Sequence, residues 1–436
     1  MTSPALSLPA IYNEAIGALV DDAAAIARVE AGLAAHKATV VAEAHRLSVE
    51  AAELMTTDAP HACSPAEGAR RILVSEIACA LGIPERTAET LIADSVMLVN
   101  SLPATFDALS RGTISWRHAH LVVDHASSLP ASSLAEFESL VVPLAEKNTA
   151  ARFNRSARVV RERMHPETIA HRHTTAVEQR FIDLQPGRDG MAYLTAFLPA
   201  VTAHAIVDRL DETARAARGD GDPRTISQLR VDTFAGALLG AESEFPDLAE
   251  LLATIRPRVQ VTVPVLSLLG RDEMPASLDG YGPIDLETAT VLTANATSLT
   301  RLLTHPETGA VLSVGRDRYR VPEDLRRHLQ VRDGTCRFVG CSRRARNCDV
   351  DHTDEWQHGG STAHDNLAHL CEPHHRLKTL TGWKVVQLGD GVLRWTSPFG
   401  RSYVTEPEES LAKPSAKTSI ERSSKRSIKP SDADAA

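Results

Sequence analysis

Between residues 336 and 379 the chain reads CRFVGCSRRARNCDVDHTDEWQHGGSTAHDNLAHLCEPHHRLKT. Four of its six cysteines (Cys336, Cys341, Cys348, Cys371) fall in this stretch, and six of its 18 histidines lie between His352 and His375. No other part of the chain constrains the fold as tightly. Cysteine and histidine at short spacings, in a chain whose N-terminus (MTSPALSLPAIYNEAIGALV) has no basic lead and carries Glu14, point to a metal rather than to disulfides. The pairs Cys336-x4-Cys341 and Cys371-x2-His374 are separated by a loop, which is how a structural Zn²⁺ acquires four tetrahedral ligands. Gly340 eases the bend of the first pair. Pro373 suits the start of a helix, which sets His374 and His375 in its first turn. Cys348 is the extra thiol. It stands as an alternative ligand to His374, but it precedes an apparent strand and reads better as a packed core residue.

His375 follows a zinc ligand directly. Neighbouring residues on a helix point about 100° apart, so His374 and His375 face different partners. Upstream lie Asp351-His352 and Asn366, in the spacing Asp-His-x13-Asn-x8-His.

These residues resemble the cassette of the HNH endonucleases, a ββα-metal fold. The parts are a strand at CDVDH, a loop with HGG, a strand at NLAHL and a helix from Pro373. The wider chain, from about residue 30 to 400, is similar to actinobacterial HNH-signature proteins with a long N-terminal helical region of unknown function. GTISWRHAHLVV, GMAYLTAFLPA, RTISQLRVD, GYGPI and RDGTCRFVGC carry that likeness. The resemblance implies hydrolysis of phosphodiester bonds in nucleic acid, with DNA as the leading substrate. It implies a catalytic Mg²⁺ or Mn²⁺ on Asp351 and His375 beside the structural zinc on Cys336, Cys341, Cys371 and His374. His352 would be the general base, suited by a pKa near neutrality. Asn366 would bond across the loop and fix the carbonyl and imidazole that orient His352. Arg344 and Arg346 would hold flanking phosphates. Where many family members carry a further metal-binding histidine one turn after His375, this chain has Thr379. The alternative from another class is a DNA-binding regulatory protein whose HNH-like zinc module does not cut.

The net charge of −9 argues against indiscriminate nucleic-acid coating, yet residues 316–346 hold ten arginines and four acids, Asp317, Glu323, Asp324 and Asp333. Such a local excess suggests a polyanion contact. No apolar run reaches the ~18 residues of a membrane span, so a cytoplasmic protein without membrane partners is expected.

The rest of the chain reads as mainly α with a small α/β layer. Residues 11–175 are rich in Ala, Leu, Glu and Arg and predict helices. SEIACALGIPERTAETLIADSVMLV (75–99) predicts two helices joined at Gly82, the pattern of a helix-turn-helix or of a plain helical hairpin. From about 178 to 270 the texture changes: strand, turn at Pro186–Gly190, strand, helix 200–218, the loop GDGDP, a helix to about 240, and a strand within 256–270. Cys63 and Cys79 read as small buried residues, and His118, His120, His171 and His173 as helix-surface or structural histidines. Trp383, Trp395 and Tyr403 could stack on bases but more often cover a sheet. Three divisions are expected: a helical region 1–325 with the α/β layer, a zinc-stabilised nuclease domain 326–405, and a disordered tail 406–436.

Overall fold

The computed structural model describes residues 10–54, 64–165, 169–219, 222–240, 261–263, 267, 275–278, 281–294 and 321–407. Cys63, most of the strand expected within 256–270, part of GDGDP, three of the ten arginines (Arg316, Arg318, Arg320) and the tail from 408 lie outside them. The protein is mostly helical, with small antiparallel sheets. No helix among the described residues is long and apolar enough to cross a membrane.

Contact density divides the chain into two compact units. The first comprises Met1–Ala176, Arg376–Lys384 and Thr396–Tyr403; the second comprises Val177–His375, Val385–Trp395 and Val404–Ala436.

The first unit holds helices α1 (Ala10–Leu54), α2 (Pro65–Leu81), α3 (Glu85–Ser101), α4 (Pro103–Ser110), α5 (Trp116–Ala126), α6 (Leu134–Lys147) and α7 (Ala150–Met164), and from α2 to α7 they follow one another through short connections. Apolar residues at helical spacing, among them Leu98, Leu102, Leu109, Val122, Phe137, Val141 and Phe153, meet in one buried core. The expected break at Gly82 is there: its φ of 63° is the left-handed conformation that closes α2, and Ile83 N donates back to Ala78 O. A second small core joins α2 and α3 to α1 through Val41, Leu73, Val74, Leu91 and Ile92. His118 completes the capping box of α5 with Ser115 and bonds the Asn148 carbonyl, and His120 pairs with Asp94, so both are structural. His173 is exposed on α8 (Ile169–Glu178); the side chain of His171 lies outside the described residues. Cys79 is half-buried rather than enclosed, because α2 turns its last turn partly to solvent. Burial, with Glu76 and Glu85 nearby, pushes its thiol up to about 12.

The second unit opens with the expected hairpin, β1 (Phe181–Pro186) paired antiparallel with β2 (Ala192–Phe197). Its turn places Asp189 and Gly190 at positive φ, and Gly187 N closes on Met191 O. Helices α9 (Ala200–Ala217) and α10 (Ile226–Leu239) follow. A three-stranded sheet of β3 (Val261–Thr262), β4 (Ala276–Leu278) and β5 (Gly282–Ile284) leads into α11 (Leu286–Ala294). Beyond it, α12 (Glu323–Asp333) packs Leu325 and Leu329 on Leu367 of the next hairpin. That hairpin pairs β6 (Asp349–His352) with β7 (Leu367–Leu370), Asp351 opposite Ala368 and His352 opposite Leu367. Helix α13 (Glu372–Leu380) follows at once, so the Cys/His segment is built strand, strand, helix. The chain closes with a sheet in the order β10-β9-β8, formed by β8 (Lys384–Gly389), β9 (Val392–Thr396) and β10 (Ser402–Thr405). Trp383 and Trp395 are buried rather than offered to bases, the latter as the largest enclosed side chain.

Candidate metal centre

The zinc-type ligands come together. Cys336, Cys341, Cys371 and His374 hold their donor atoms within 4.8 Å of one another. His374 Nδ1 lies 3.1 Å from Cys371 Sγ and 3.4 Å from Cys336 Sγ. Tetrahedral ligands of Zn²⁺ sit about 3.5 Å apart, so the donor set and its size fit that ion. The first pair is a tight knuckle: Cys341 N donates to Phe338 O, and Gly340 takes a φ of 71°. The second pair rides on the strand-to-helix turn, where Cys371 N points at Cys336 Sγ at 3.3 Å. Phe338 stacks on the His374 ring at 4.2 Å between centroids, and Trp395 closes edge-on behind Phe338. Cys348 is buried beside the cluster and donates to the Arg343 and Arg344 carbonyls, the packed-thiol role expected of it.

Three thiols this close cannot all ionise without a cation. Hydrogen bonds from Cys336 and then Cys341 hold the Cys371 thiol far down, while Cys336, Cys371 and burial push Cys341 up. At Cys336 the downward pull of Cys341 is outweighed by Cys348, Cys371 and burial, and that thiol too is raised. A divalent charge at the centre of the four donors removes the conflict.

His375, one residue on, turns away from the sulfurs. Its Nε2 lies 3.3 Å from Asp351 Oδ1 on β6. His352, next along the strand, is buried and shares a 3.0 Å hydrogen bond between Nε2 and Thr362 Oγ1, with Trp356 edge-on to its ring. Asn366 does span the loop. Its Oδ1 accepts from Asp354 N, and its Nδ2 donates to the carbonyls of Asp354 and Ser361. Asn366 thus fixes loop carbonyls, and the hydroxyl of Thr362 lies on the His352 imidazole. Gly360 belongs to the same loop. A Cβ there would meet the Asp354 carbonyl oxygen at 1.8 Å and Asn366 Nδ2 at 2.9 Å, so only glycine fits.

The arginine excess divides. Arg343 and Arg346 are exposed and Arg344 is partly so, but Arg332 and Arg337 turn inward on Asp333. The polyanion reading of those two is therefore corrected: they neutralise a buried acid. Asp333 Oδ1 accepts from Arg332 Nε (2.8 Å) and Arg337 Nη1 (3.2 Å), and Oδ2 accepts from His369 N and Nδ1, both at 2.9 Å. Burial alone would raise this carboxyl; His369 and the Arg332 guanidinium reverse that and hold it at about 2. Arg332 also donates to the Leu367 and His364 carbonyls, and Arg337 to that of Thr405. Asp333 thus ties α12, the knuckle and β7 together. Sequence reading counted it only as one acid among many arginines. Its signal was its place at the end of α12, immediately before a glycine and the first knuckle.

A family model described as "Domain of unknown function (DUF222)" matches residues 22–333, ending just before the first knuckle. An uncharacterized protein of Mycobacterium tuberculosis (strain H37Rv) is 31% identical over 447 aligned positions, which cover 91% of this chain and 81% of that protein. A second uncharacterized protein of the same strain is 30% identical over 446 positions, covering 90% and 78%. No solved structure matches the chain.

Proposed function

The chain belongs to the DUF222 family, and from that premise we propose that its Cys/His segment is the nuclease centre of a metal-dependent HNH endonuclease that hydrolyses phosphodiester bonds in nucleic acid, DNA foremost. One observation carries the reading: adjacent residues of α13 serve different partners, His374 the sulfur cluster and His375 the Asp351 carboxylate. A purely structural zinc module has no use for the second pair.

Asp351 and His375 would hold a divalent cation, and their 3.3 Å separation suits two ligands of one ion. Such an ion supplies Lewis acidity towards a non-bridging phosphate oxygen and the leaving 3′-oxygen. The remaining work falls to the chain. His352 takes the proton of the attacking water, and Thr362 holds its ring in one orientation. Asn366 and the side-chain-free Gly360 keep the loop over the ring closed. Arg344 and Arg346 bind flanking phosphates and set the register of the strand.

A second reading rests on the burial of His352, which is 6% exposed. A base so enclosed reaches water only when the loop over it opens; a module with that loop permanently shut binds nucleic acid without cutting. Supercoiled plasmid incubated with the purified protein and Mg²⁺, Mn²⁺ or chelator separates the two. Nicking that needs the divalent ion, and that His352→Ala lowers by ~10²–10⁴ at unchanged zinc content, supports the nuclease. Retarded but intact plasmid under every ion supports the binding module.

A further inference from the structure

Helix α1 has two apolar faces. Ala31, Ala35, Ala38, Val41 and Ala42 are buried within its unit. On another face a large apolar residue recurs every seventh position: Tyr12, Leu19, Ile26, Leu33, Val40 and Leu47. All six are between 51% and 68% exposed. Four positions after each stand Ile16, Ala23, Glu30, Lys37, Ala44 and Ala51, so the two rows alternate at spacings of four and three. That is the seam of a coiled coil sustained over five heptads, about 50 Å of helix. A globular neighbour asks for a broader apolar stripe and for no strict seven-residue period.

The seam specifies its occupant by length and by charge. At 45 residues α1 has no match among the described helices, the next longest being the 18 residues of α9. A second α1 matches it along its whole length. Glu30 and Lys37 interrupt the apolar row near its middle, both exposed and neither in an ion pair among the described residues. Two parallel copies would stack Glu30 on Glu30 and Lys37 on Lys37. Antiparallel copies bring Glu30 of each within about one helical turn of Lys37 of the other. The same arrangement sets the bulky Tyr12 of one copy against the small, exposed Ala51 of the other, which lets those layers interdigitate. We infer that the chain forms a homodimer through an antiparallel coiled coil of two α1 helices.

The test uses the full-length protein and sedimentation equilibrium over a concentration series. The wild-type chain is expected to be a dimer, and the double substitution Leu19→Glu, Ile26→Glu a monomer with unchanged helix content and the melting temperature of the wild-type chain diluted until it is monomeric. Glu30→Lys turns two attractions per dimer into repulsions and weakens association about tenfold; adding Lys37→Glu restores it. A wild-type chain that stays monomeric at every concentration overturns the inference. So does a Leu19→Glu, Ile26→Glu variant that remains dimeric, or one that melts below the wild-type chain diluted until it is monomeric, since the seam is then covered by the chain itself. Association unaffected by Glu30→Lys overturns the antiparallel arrangement.

Discussion

At the scale of single residues, the adjacent pair in α13 makes the sharpest demand. His374→Ala removes a donor from the sulfur cluster, so the first losses are zinc, read by elemental analysis, and thermal stability. His375→Ala leaves both in place. Under the proposed function it abolishes nicking, and excess Mn²⁺ returns part of it, because mass action offsets weakened binding. Equal loss of zinc from both variants would show that the rings do not divide as described. Gly360 makes a different demand, of space rather than of chemistry. Gly360→Ala drives a methyl into the Asp354 carbonyl. The loop must shift, at a cost of ~1–3 kcal/mol, and a lower melting temperature with retained zinc is the expected result.

At the scale of elements, Asp333 decides how well α12, the knuckle and β7 hold together. Its carboxyl falls from an ordinary 3.8 to about 2 on folding. Stability from a depressed carboxyl is fully present above the unfolded pKa and is lost as pH falls through the folded one. The shift amounts to roughly 2 kcal/mol, so the unfolding free energy from urea titrations should decline between about pH 4 and pH 2 by that amount. Asp333→Asn should flatten this part of the profile and, by leaving Arg337 buried without its counter-charge, cost about 3–5 kcal/mol at neutral pH. A variant as stable as the parent would remove Asp333 from the centre of the module. These elements were unequally legible in the sequence. Gly82, Pro186–Gly190 and the Cys-x4-Cys pair carry local signals, and helix, hairpin and knuckle stand where those signals put them. Thr362 carries none and Asp333 only its place before Gly334 and the first knuckle, because a hydroxyl or an acid becomes a ring holder or a charge hub only through partners many residues away. Arg332 and Arg337 misled for the same reason. Composition cannot tell an arginine facing solvent from one turned onto a buried carboxylate.

At the scale of the whole molecule, the two units draw on different sources of order. The first has an extended apolar core around Phe137 and Phe153. The Cys/His module has a smaller core, with Leu325, Leu329 and Leu367 on one side and Phe338, Leu370, Leu393 and Trp395 also buried, and Phe338 and Trp395 close over its cluster, on which it depends. A strong chelator should therefore collapse the Trp395 fluorescence and near-ultraviolet signals of the module while most helical circular dichroism persists. One zinc per chain should restore them. Full retention of the module's signals without metal would contradict the structural role of the cluster.

The partners of Asp333 are far apart along the chain: His369 lies 36 residues on, and Arg337 reaches 68 residues to Thr405. Cys336 and Cys371 are separated by 35. Chain entropy must be surrendered before such long loops return any contact. An ion that catches the sulfurs closes the loop from 336 to 371, which delivers His369 almost to Asp333. Zinc then acts on the order of events as well as on the final balance: refolding of the module should quicken with zinc concentration, and without the ion the acid hub has to wait for a chance encounter.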